Sequence, residues 1–225
     1  MTSPLLAFRI ICFVYVSFWI CYGIFFQKQN YHYFFFLTNW NWMLDWLYFL
    51  VAILMVKSPT TYLRVYQVFM AIIPTISTIV VVVFWCLLNT LVFGPNRPTE
   101  MRVSSTVSHT LNFILPIIDI YCTNDIILTW KHGIYPVIVM FFYTVLIFFT
   151  KLVLKEDFPY SFIKAVNGGS EDIIMWGPVL ALCFGFYIIT WIFWLLVFKS
   201  FQLRNFIKKR YSGTASVSEV AVLPK

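Results

Sequence analysis

Two short stretches of this chain place acid–base and nucleophilic side chains at helical spacing inside otherwise apolar sequence. In the first, Thr38, Asn41 and Asp45 fall at i, i+3 and i+7, one face of a helix. In the second, His109, Asn112, Asp119 and Thr123 fall at i, i+3, i+10 and i+14, with Pro116 on the same stripe. A hydroxyl and an imidazole that meet in a water-poor place are the parts of a nucleophile and its base. The imidazole suits the role because its ordinary pKa, about 6.5, lets it take and return a proton near neutrality. A third group fixes such a ring's tautomer; Asn112 is the nearer candidate by spacing and Asp119 the more basic. Asp45 and Asp119 as a pair equally suit the lining of a proton or cation path. A purely structural account also exists, with the Thr hydroxyl bonded one turn back and the His as a solvated end residue.

The elements that must hold these groups follow from composition. Of 225 residues, 61% are apolar and only 11% charged, too few charges to coat a water-soluble body of this size. Six stretches, about 5–26, 34–56, 66–94, 108–128, 134–153 and 172–199, each supply the roughly 20 apolar residues that a bilayer crossing needs. Runs such as Thr78 to Leu88 are apolar on every side, which excludes the alternating pattern of a membrane β-barrel. The expectation is an all-α, polytopic six-helix bundle over residues 1–199, followed by a basic juxtamembrane segment and disordered tail over 200–225. The first stretch has no small-residue cleavage site and reads as a retained helix.

With six spans, Arg9, Lys57, Arg64, Lys131, Lys199, Arg204, Lys208, Lys209, Arg210 and Lys225 share one side. Lys28, Arg97, Arg102, Lys151, Lys155 and Lys164 share the other, together with Glu100, Glu156, Asp157, Glu171 and Asp172. The more basic side is cytosolic, so both termini are expected there. The second and fourth spans then run the same way, which brings Thr38 and His109 to one membrane face. Asp45 lies about 10 Å deeper than Thr38, and Asp119 about 15 Å deeper than His109. Cys12, Cys21, Cys86, Cys122 and Cys183 all fall within spans without metal-binding spacing, and no phosphate loop or haem motif occurs. No metal, cofactor or nucleic acid is expected; the partners expected are membrane lipids, in the endoplasmic reticulum or plasma membrane.

The segment Phe36-Leu37-Thr38-Asn39-Trp40, and His109-Thr110 with Asp119 ten residues on, resemble the androgen-induced and androgen-dependent transmembrane hydrolase family. The Thr-Asn-Trp variant is closer to its rolling-stone-like branch, named for an insect protein linked to myoblast fusion. Length and six-span layout agree, while Pro116 sits two positions from the family pattern. The resemblance implies cleavage of fatty acid esters of hydroxy fatty acids by an intramembrane threonine, Thr38, with His109 as its partner. Phe36, Trp40, Trp42 and Trp46 are candidates for lining a lipid pocket, and Asn39 or Asn41 for donating to the ester oxyanion. The competing expectation is a non-enzymatic membrane protein, either a fusion-associated scaffold or a small transporter built on Asp45 and Asp119.

Overall fold

The computed structural model describes residues 3–26, 30–88, 99–123, 128–154 and 177–211, and these are helical with no β-strand among them. Among the described residues the six long helices are α1 (Ser3–Cys21), α2 (Leu37–Lys57), α3 (Pro59–Val83), α4 (Thr99–Cys122), α5 (Ile134–Leu152) and α6 (Gly177–Tyr211). Helices are what an apolar chain of this kind must form, since their backbone groups bond within the segment and need no water. Five segments, Pro4–Phe25, Leu37–Lys57, Pro59–Cys86, Trp130–Leu152 and Cys183–Ile207, are long and apolar enough to cross a membrane. The helix left out is α4. Its 24 residues suffice in length, but Arg102, Ser104, Ser105, His109, Asn112 and Asp119 dilute its apolar character.

Single residues mark the connections. Ser58 alone separates α2 from α3, where the sequence suggests a longer loop over 57–65. The reason is Pro59, which at the first helical position sets φ without losing a needed donor. Helices α1 and α3 each end in a π-helical turn, Tyr22–Phe26 and Phe84–Leu88. Helix α6 does not stop at residue 199; it runs on to Tyr211. Residues 212–225, expected to be disordered, lie outside the described residues, as do 124–127 and 155–176.

Long-range contacts fix the helix directions. Arg9 near the start of α1 bonds the Ala52 carbonyl late in α2, Tyr66 early in α3, and Asp119 and Thr123 at the end of α4. Arg204, late in α6, bonds the Thr123 carbonyl. At the other end, the first turn of α2 meets the last turn of α3 and the middle of α4 around His109. Successive helices among α1 to α4 therefore alternate in direction. Helix α3 is central, buried on every side from Met70 to Ser77. Outward faces carry exposed Ile11, Phe18, Phe142, Phe184, Ile188 and Leu196; an apolar surface of that extent suits lipid, not water.

Two arginines are not where a count of basic loops puts them. Arg9 is fully buried and paired with Asp119, so it is an interior charge instead of a loop charge. Arg204 is also buried, over the rings of Tyr121 and Phe201, and so does not belong to a lipid-facing basic tail. Inside a bundle a guanidinium is tolerated where a carboxylate and carbonyls meet its five donors.

Candidate active site

Thr38 is the second residue of α2. Phe36 caps that helix in extended conformation, φ −100° and ψ 129°, and its carbonyl accepts from the backbone N–H groups of Asn39 and Trp40. This leaves Thr38 in the first turn, where the helix dipole favours negative charge.

Thr38 Oγ1 lies 3.1 Å from His109 Nε2. The other ring nitrogen, Nδ1, lies 2.6 Å from the Ser105 carbonyl, one turn back along α4. A carbonyl only accepts, so Nδ1 carries the hydrogen and Nε2 presents its lone pair to the threonine hydroxyl. The ring is held from its face as well. Phe84 stacks on it with centroids 3.8 Å apart and planes 9° from parallel, and Phe84 opens the π turn that ends α3. Asn112 Nδ2 approaches the Thr38 carbonyl at 3.4 Å, tying α4 to the first turn of α2. Thr38 and His109 are half-buried.

The remaining candidates sit elsewhere. The tautomer is fixed neither by Asn112 nor by Asp119. Asp119 accepts from Arg9 Nε at 2.6 Å and Arg9 Nη2 at 3.0 Å, and from the Tyr48 and Tyr66 hydroxyls at 2.6 and 2.9 Å. It is thus fully committed at the opposite end of the bundle. Asn39 Nδ2 donates to the Tyr33 carbonyl at 2.8 Å, and the Asn41 amide is paired with Ser77. Neither amide points at the threonine, which removes both as oxyanion donors. Asp45 is buried beside Asn41.

The aromatic candidates divide. Trp40 bonds the Phe34 carbonyl and meets Tyr143 edge-on, beside the Phe36 cap. Trp42 stacks on Trp19, and Trp46 bonds Ser17 Oγ against Phe13. The last two are packing residues between α1 and α2, because an indole N–H in an apolar interior takes whichever acceptor the next helix offers.

Sequence reasoning passes over Ser105, Phe84, Ser77, Tyr48, Tyr66 and Arg9. Some signal was present: Ser105 precedes His109 by one turn, Tyr48 extends the Thr38–Asn41–Asp45 stripe, and Arg9 is a lone cation within an apolar stretch. Phe84 carries no signal, since nothing local distinguishes it from the other phenylalanines. No family model, curated protein or solved structure matches this chain.

Proposed function

We propose that the protein is an intramembrane hydrolase of lipid esters, with Thr38 as nucleophile and His109 as general base. The observation that carries this reading is the 3.1 Å approach of the Thr38 hydroxyl to a ring nitrogen whose opposite nitrogen is held by a carbonyl. That is the arrangement of a base with its orienting group. As the Thr38 oxygen attacks an ester carbonyl, its proton passes to His109 Nε2. The tetrahedral oxyanion faces the first turn of α2, whose dipole stabilises it. Collapse expels the alcohol with the proton from the imidazolium and leaves an acyl-threonine. Water, deprotonated by the same nitrogen, then releases the acid and restores the threonine.

In this reading α4 is a sixth crossing, both termini face the cytosol, and the protein resides in the endoplasmic reticulum or plasma membrane. Its placement of Thr38 and His109 in the motifs that resemble the transmembrane hydrolases favours a fatty ester substrate. Transport through both carboxylates is less well supported, because Asp119 is engaged by Arg9 and two tyrosines.

The test is hydrolysis of fatty acid esters of hydroxy fatty acids by the purified chain in liposomes, with fluorophosphonate labelling alongside. Thr38→Ala is expected to abolish both turnover and labelling while the protein still inserts and melts as wild type. Wild-type protein that neither hydrolyses nor labels would overturn the reading.

A further inference from the structure

The polar groups of α2, α3 and α4 form matched stripes through an apolar bundle. Thr38, Asn41, Asp45 and Tyr48 lie along α2, Tyr66 and Ser77 on α3, and His109, Asn112 and Asp119 along α4. Both carboxylates of this axis are buried, Asp45 at 1% exposure and Asp119 at 0%, yet they are treated oppositely. Asp119 has a bidentate arginine and two hydroxyl donors. Asp45 Oδ2 receives a single contact, from Asn41 Nδ2 at 3.5 Å, the outer limit of a hydrogen bond. Asp45 Oδ1 has no partner.

We propose that Asp45 is a proton-binding site, a carboxylic acid held neutral in the middle of the bundle. An ionised carboxylate there requires a cation or several donors, and among the described residues no lysine, arginine or histidine lies within ion-pair distance of it. The titratable groups on the packed helices are otherwise engaged. On α1, Arg9 is consumed by Asp119, and Cys12 is a buried thiol. On α2 and α3, the Tyr48 and Tyr66 hydroxyls bond each other and Asp119. On α4, His109 is bonded to Thr38 and Ser105.

A metal ion is poorly served at this place, because Asn41 and Ser77 satisfy each other at 3.0 and 3.1 Å and offer it no further ligand beside the Asp45 carboxyl. A proton needs no such shell. It turns a buried charge into a dipole, and the acid remains available for exchange along the axis. The site is independent of the hydrolase reading, since Asn41 and more than one helical turn separate it from Thr38.

The experiment compares infrared spectra of the wild-type chain and Asp45→Asn in liposomes at pH 7. The carboxylic-acid carbonyl stretch, which moves to lower frequency in D2O, is expected in the wild type and lost in the variant. In parallel, dicyclohexylcarbodiimide is added to the wild type and modified residues are mapped by mass spectrometry. A neutral acid protonates the reagent, its carboxylate adds to the central carbon, and rearrangement leaves a stable N-acylurea with all atoms retained. Modification is expected at Asp45 and not at Asp119, with no protection by sodium chloride. An absent acid band at Asp45, or a band and labelling both removed by sodium, would overturn the proposal. Should Asp45→Asn fail to fold, the carbodiimide map of the wild type decides alone.

Discussion

At the scale of the residue, chemistry depends on a hydroxyl and a ring nitrogen from separate helices arriving within a hydrogen bond of each other. His109→Ala is expected to lower turnover by about 10²- to 10⁴-fold, the usual contribution of a general base. The check is kcat on a lipid ester, with KM little changed. Thr38→Ser keeps the hydroxyl but frees χ1, so partial activity is expected; full inactivity of a folded Thr38→Ser would count against a hydroxyl nucleophile. Phe84→Ala removes the ring that covers His109 without touching either reacting atom. Its expected signature is a parallel fall in kcat and in the rate of fluorophosphonate labelling at Thr38, with KM little changed, because the imidazole then samples orientations other than the productive one.

At the scale of the element, the question is what holds α4 in register against α2. Ten residues of α4, about 15 Å, separate the Thr38–His109 contact from the Arg9–Asp119 pair, so the second fixes depth and rotation for the first. Replacing one partner, as in Arg9→Met or Asp119→Leu, leaves a buried charge uncompensated and is expected to destabilise the bundle by about 3 to 5 kcal/mol. Replacing both with apolar residues of similar volume is expected to recover most of that loss, measured by thermal or denaturant unfolding in detergent. Equal damage in the double variant would mean the loss comes from packing and not from charge. A close approach governs the other side of the molecule. Gly133 faces Trp191 and Trp194 of α6, and a methyl at that position would strike the Trp194 ring. Gly133→Ala should therefore cost about 1 to 3 kcal/mol in the same assay.

At the scale of the whole molecule, an apolar exterior surrounds a polar axis. The arrangement inverts the soluble pattern because lipid, unlike water, offers no partner to a polar side chain. If α4 is a crossing, both termini lie on one side. Single cysteines placed at positions 2 and 225, in a chain whose five native cysteines are replaced, are then expected to react with an impermeant maleimide only after the membrane is opened. Reaction of one terminus in sealed cells would leave five crossings in place of six.

Much was legible from one dimension. Segments of about 20 apolar residues must be helices, and the stripes at i, i+3 and i+7 must face inward, because local periodicity and the solvent decide both. Periodicity therefore separates the faces on which Thr38, Asp45, His109 and Asp119 lie, and alternating direction allows the threonine and the histidine to share a depth. What lay beyond reach was every choice of partner. Asp119 could orient His109 or bond Arg9, and across a separation of 110 positions nothing local selects between them. The same holds for Ser77 with Asn41 and for Phe84 with His109. Most polar groups buried without water find a mate, but which mate depends on helix rotation, and rotation is set by packing across all the helices at once.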